Sequence, residues 1–133
     1  MGIFSGKRPV NLGYADGKFA PPSWKPNCVS STVDRDNSHF IEPIVYAMAS
    51  AKAWEKLRVI VLASKGTKVI VDIPGYLYAE FRSSIFGFVD DVEFAMDKNA
   101  RMIQVRSGSR LGIDDAGVNR TRIERIRQDL LKA

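Results

Sequence analysis

Four successive runs, "KVIVDI", "LYAEFRS", "GFVDDVEF" and the stretch through Ile103 and Val105, carry apolar residues at every second position between Lys68 and Ser107. A period of two is the pattern of half-buried strands, and the short connections between the runs make neighbouring strands antiparallel. A three-residue loop at Pro74, Gly75 and Tyr76 sets Ile73 against Leu77, Val71 against Ala79 and Val69 against Phe81, all on one face. The "SIFGFV" connection then pairs Phe81 with Phe94 and Arg82 with Glu93. The connection at Lys98-Asn99 pairs Phe94 with Ile103, Val92 with Val105, Glu93 with Gln104 and Asp91 with Arg106. One face of this meander is apolar, and the other carries opposite charges on adjacent strands. In the same register Asp90 lies opposite Ser107 on the apolar side.

The flanks supply what covers the apolar face. From Ser50, the residues Ala53, Trp54, Leu57, Ile60 and Val61 recur at helical spacing, and the pattern stops near Gly66. After Gly117 a second stripe, Ile123, Ile126 and Leu130, marks another amphipathic helix, with Thr121 and Glu124 as a candidate capping box. The expected fold class is α+β: a four-stranded antiparallel meander with two helices packed on one face. Residues 1–26, rich in glycine and proline, read as an irregular N-terminal arm with Phe19 and Trp24 as anchors. Residues 27–133 read as a single α+β domain. Within it "NCVSSTV" is a short extended piece, and "FIEPIVY" is confined by Pro43 to an edge or an irregular segment.

Charge is unevenly placed. Residues 1–26 carry four cationic side chains and one anionic, 27–100 carry eight and ten, and 101–133 carry eight and four. The basic ends suit an anionic partner, or simply a solvated surface. The single cysteine, Cys28, excludes an internal disulfide. No apolar run approaches the roughly 20 residues of a membrane span. No secretory leader is legible at the start, and cytoplasmic is the default expectation for localisation.

The stretches "PNCVSS", "GFVDDVEF" and "RSGSRLGIDDAGVNRTRIERIR" stand in the order and spacing of the DUF1499 family, which the chain resembles over nearly everything after residue 20. The resemblance implies no particular reaction. Many relatives carry a further cysteine just before the first motif, which would imply a disulfide or a metal there. Here that stretch is "APPSWKPNC", without it.

His39 is the one histidine available to activate Cys28, and it has no evident orienting partner, so a structural cysteine is the better reading. Asp90, Asp91 and Glu93 fall on two faces of a strand, which favours cross-strand ion pairs with Arg82 and Arg106 over a metal site. "GSRLG" lacks the ending of a phosphate-binding loop. The crowded stretch of arginines, serines and aspartates from Arg106 to Arg127 reads first as a structural network, in which Arg110 and Arg120 pair with Asp90 or Asp115. Its rival is a ligand site built from Asp90, Arg106, Ser107, Arg110, Asn119 and Arg120. No catalytic residue, metal ligand or cofactor is assigned. The expected function is therefore a small non-enzymatic binding or accessory domain, whose partner is a protein or a small anionic ligand. The alternatives are an anion-binding protein or enzyme at the Asp90/Arg106/Arg110/Asn119/Arg120 junction, and weak nucleic-acid binding through Arg120, Arg122, Arg125 and Arg127.

Overall fold

The computed structural model describes residues 6–83 and 87–132. Expectations that fall on residues 1–5 and 84–86, including the first half of the "SIFGFV" connection, lie outside the described residues. The element order is β1 (Tyr14–Ala15), β2 (Lys18–Phe19), β3 (Cys28–Ser30), β4 (Ile44–Val45), α1 (Ser50–Ala63), β5 (Thr67–Ile73), β6 (Tyr76–Arg82), β7 (Val89–Asp97), β8 (Met102–Ser109) and α2 (Val118–Leu131).

The chain is α+β, but its main sheet has six strands rather than four. The order is β3-β8-β7-β6-β5, all antiparallel, with β4 also pairing with β8. The two extra strands come from the segments read as extended: "NCVSSTV" supplies β3 and "FIEPIVY" supplies β4. They share one edge of β8, with β4 opposite Met102 and Ile103 and β3 opposite residues 106–108.

Both helices cover one face. Ala53, Leu57 and Val61 of α1 and Ile123, Ile126 and Leu130 of α2 pack on Leu77, Ala79, Val92, Phe94, Ile103 and Val105 in one continuous core. Gly66 ends the α1 connection at φ +80, where a Cβ would fall 2.3 Å from the carbonyl oxygen of Arg82. That closeness follows from the sheet itself, because the Arg82 N–H donates to the Gly66 carbonyl at 2.9 Å.

The registers differ from the expected ones. Phe94 faces Leu77 and Val105, Phe81 faces Asp90, Glu93 faces Arg106, Arg82 faces Val89, and Asp90 faces Ser109. Each slide along β6–β7 and β7–β8 is by an even number of residues, so the faces survive although the partners change. The β5–β6 hairpin breaks that rule. Its loop has two residues, Pro74 and Gly75, so Ile73 faces Tyr76, and a bulge between Val69 and Val71 sets Val69 opposite Ala79 rather than the expected Phe81. Beyond the bulge the phase inverts. Ile73 is exposed, while Asp72 turns to the helix side and meets Arg58 of α1 at 2.6 Å.

The arm is not a free tail. The β1–β2 hairpin seats Phe19, 5% exposed, with its ring 4.9 Å from that of Tyr14. Trp24, expected as a second anchor, is exposed. The expected capping box is also absent from the start of α2. Thr121 lies inside the helix, and Asp115 accepts from the N–H groups of Gly117 and Asn119 instead.

Candidate functional site

Strand alternation puts Tyr76, Tyr78 and Glu80 of β6, Asp91 and Glu93 of β7 and Arg106 of β8 on the sheet face away from the helices. The expected cross-strand pairs do not form: Arg82 is exposed opposite Val89, Asp91 pairs with Arg110 rather than Arg106, and Glu93 has Arg106 only at 3.8 Å. The carboxylates of this face are buried rather than solvent-facing, because the arm lies over them. Arg110, just beyond β8, donates from Nε to Asp91 Oδ2 at 2.9 Å and from Nη2 to Asp91 Oδ1 at 2.8 Å, and it also reaches Glu80. Arg8 of the arm donates to the same Glu80 oxygen at 2.6 Å. Burial pushes the Glu80 carboxyl up, but hydrogen bonds from Arg8 and Arg110 outweigh it and hold the group below the usual range.

Glu93 is fully buried. Its Oε1 accepts from the Tyr76 hydroxyl at 2.6 Å and from the Gly13 N–H at 2.8 Å. Its Oε2 has no hydrogen bond among the described residues, and the nearest cation, Arg106 Nη1, is 3.8 Å away. Burial is the largest influence on this carboxyl and raises it above the ordinary value, despite Tyr76, Arg106 and Gly13. Tyr76 and Tyr78 are pushed well above the normal phenol range, first by burial and then by hydrogen-bonding to Glu93 and Asp91.

A second cluster lies on the helix side. Asp90 pairs with Arg122 of α2 at 2.7 Å, not with Arg110 or Arg120. The Arg122 guanidinium also lies over the Phe81 ring, 4.9 Å from its centroid. Asn119, fully buried, is the hub. Its Oδ1 accepts from Ser107 Oγ at 2.6 Å and from Arg122 Nη1 at 2.8 Å. Its Nδ2 donates to the Asn27 carbonyl, Ser109 Oγ and Asp115 Oδ2. Burial raises the Asp115 carboxyl, but three donors, the Asn119 N–H, the Asn119 side-chain amide and the Gly117 N–H, bring it below its ordinary value.

The six residues of the sequence-derived site are thus not gathered at one point. Asp90, Ser107 and Asn119 meet between sheet and α2, Arg106 and Arg110 lie beneath the arm on the opposite face, and Arg120 is exposed and donates to the Ser38 carbonyl. Sequence reading missed Glu80 and Arg8, and it gave Asp90 the wrong arginine. A signal for Arg122 existed: it stands four and eight residues before Ile126 and Leu130, on the flank of the buried stripe.

The thiol of Cys28 is buried, and burial pushes it up to about 11, far from a nucleophilic thiolate at neutral pH. His39 Nδ1 lies 2.8 Å from the Cys28 carbonyl oxygen, so its ring engages the backbone rather than the sulfur. The four arginines of α2 do not form one free face. Arg122 is paired with Asp90, and Arg127 holds Glu124 and the carbonyls of Glu42 and Pro43. Among the described residues no group of three or more His, Cys, Asp or Glu is placed to hold a metal ion, and no helix is long and apolar enough to cross a membrane.

Of the concavities on the surface, two adjoin the helices and the polar clusters. One, of about 770 Å³, runs between the C-terminal half of α1 and α2; Val59, Ile60, Phe81, Val118 and Ile126 line it, with Lys65 and Arg125 among its charged residues. The other, of about 290 Å³, lies between the arm and the outer face of the sheet.

No curated protein matches the chain. The family described as "Protein of unknown function (DUF1499)" matches residues 18–130, which include β3, the whole meander, α1, α2 as far as Leu130 and every polar cluster described above save its contacts from Arg8 and Gly13, and the chain belongs to that family.

Proposed function

We propose that the chain is a small non-enzymatic binding domain, and that the α1–α2 cleft takes an amphiphile with an apolar body and an anionic end. The observation that carries this reading is the contrast between the clusters and the cleft. The buried arginines and carboxylates are largely engaged with one another, whereas the cleft is apolar and open and has a cationic rim. Val59 and Val118, 57% and 49% exposed, present side chains there that gain by leaving water. The volume is that of a site for a small organic ligand. Lys65 and Arg125 are exposed and form no ion pair among the described residues, and the one carboxylate of the lining, Asp129, has Lys132 at 3.6 Å, so an anionic group on the ligand would meet net positive charge.

Calorimetric titration with dodecanoate, below its micelle threshold, tests the reading. Saturable one-site binding is expected, lost in Val59→Glu and weakened several-fold in Arg125→Glu. Absence of binding, or equal binding by Val59→Glu, would sink it.

A further inference from the structure

Beneath the arm, Pro9, Asn11, Lys25, Arg106, Gly108 and Arg110 line the smaller pocket. It lies on the opposite side of the sheet from the α1–α2 cleft, and no ligand of the cleft would reach it. Its charge is one-sided. Lys25, Arg106 and Arg110 face it, against Asp91 alone, and both Asp91 oxygens are already taken by Arg110, with Tyr78 sharing one of them.

The two arginines retain donors. Arg106 is 12% exposed, yet its one hydrogen bond among the described residues runs from Nε to the Ala20 carbonyl at 2.9 Å. Its nearest carboxylate oxygen stands at 3.8 Å, beyond hydrogen-bond reach, which leaves the outer edge of the guanidinium fork unspent. Arg110, with 5% of its side chain exposed, uses Nε and Nη2 on Asp91, Glu80 and Tyr78, and Nη1 makes no hydrogen bond among the described residues. None of these free N–H groups is among the buried side-chain atoms left without a partner, so they are open to solvent and a ligand entering the pocket can reach them.

Gly108 keeps the floor low. A Cβ there would stand 3.0 Å from Cys28 Sγ and 3.5 Å from Arg106 Nη1, occupying the space over which the guanidinium lies. The size of the pocket is just below that of sites for drug-sized ligands, and suits a compact group. The planar fork of arginine matches carboxylate and phosphate oxygens in paired hydrogen bonds.

We propose that the pocket enclosed by the arm and the ends of β3 and β8 binds a small oxyanion, of carboxylate or phosphate type, through Arg106, Arg110 and Lys25. The arm supplies Asn11 and Lys25 and the sheet supplies the two arginines, so the ligand bridges arm and sheet and holds the arm down.

The test uses inorganic phosphate and malonate at low millimolar concentration, with sodium chloride matched in ionic strength as the control. Either anion should bind saturably by calorimetry and raise the melting temperature, where chloride does not. Lys25→Gln, at the pocket's rim, should weaken binding by about tenfold, the scale of one lost charge-assisted contact. Arg106→Gln should abolish it. Asn11→Asp, on an exposed residue, should weaken binding by placing a like charge at the mouth, and it serves if Arg106→Gln does not fold. Val59→Glu should retain the full response, which separates this site from the cleft. Failure of both anions to bind, a response matched by chloride, or unchanged affinity in both Lys25→Gln and Asn11→Asp would overturn the proposal.

Discussion

Arg110 grips Asp91 through two parallel hydrogen bonds across the outer face of the sheet, with 5% and 4% of the two side chains exposed. Removing one partner of such a pair leaves the other charged and buried. Arg110→Ala should therefore destabilise the fold by about 3–5 kcal/mol. In urea denaturation the Arg110→Ala/Asp91→Ala double variant should lose clearly less than the sum of the two single losses. Additive losses would mean that the pair is not a coupled unit.

Glu93 gives a pH dependence of known sign. Its carboxyl is raised in the folded protein, so between the ordinary value and the folded value the native state binds more protons than the unfolded one. This group's contribution is most favourable at low pH and declines as pH rises through the folded value. Glu93→Gln removes that titration. The stability of the natural protein relative to Glu93→Gln should rise as pH falls through this window, as measured by urea midpoints in buffers from neutral to acidic. A difference that falls on acidification would reverse the sign.

Asn119 is an irreplaceable combination of donor and acceptor. Asn119→Asp would turn the donating end toward Asp115 Oδ2, now 2.7 Å from Nδ2, into a second carboxylate. A loss of about 3–5 kcal/mol is expected for the resulting buried like-charge contact, larger at neutral than at acidic pH. Asn119→Ala should cost about 1–3 kcal/mol through stranded partners. Equal losses at both pH values for Asn119→Asp would exclude charge as the cause.

Packing predictions separate core from arm. Phe94→Ala, at the centre of the sheet's apolar face, should cost about 3–5 kcal/mol. Phe19→Ala should cost about 3 kcal/mol, because the ring is enclosed by the arm hairpin and its neighbours. Trp24→Ala should leave the thermal midpoint nearly unchanged, since the side chain is 75% exposed. A larger loss for Trp24 than for Phe19 would reverse the assigned anchors.

The faces of the meander were legible in sequence because Leu77, Ala79 and Phe81 alternate with charged or hydroxylated neighbours. The partners were not, because a slide of two or four residues keeps every apolar side chain on the same face. The bulge near Ile70 left no trace in the pattern of "KVIVDI", whose continuous apolar run tolerates either phase. Both helices declared themselves through Leu57 and Val61 and through Ile123, Ile126 and Leu130. The polar clusters were legible as a composition, and their structural pairing was the preferred reading, but the pairing itself depended on a covering layer. Arg8 and Gly13 lie 72 and 80 residues from Glu80 and Glu93, and no local pattern connects such distant positions.

That separation also orders events in time. The arm leaves the ribosome before any of the strands it will cover, and Glu80, Glu93 and Arg110 emerge only when most of the chain has been made. The meander, built from neighbouring segments, closes its loops at small entropic cost, whereas the arm must close loops of 72 and 80 residues to reach its contacts. On loop-closure entropy alone, the arm contacts are expected to form after the meander. Until the arm is in place the carboxylates of the outer face remain in water, so it is the docking of the arm that buries their charge.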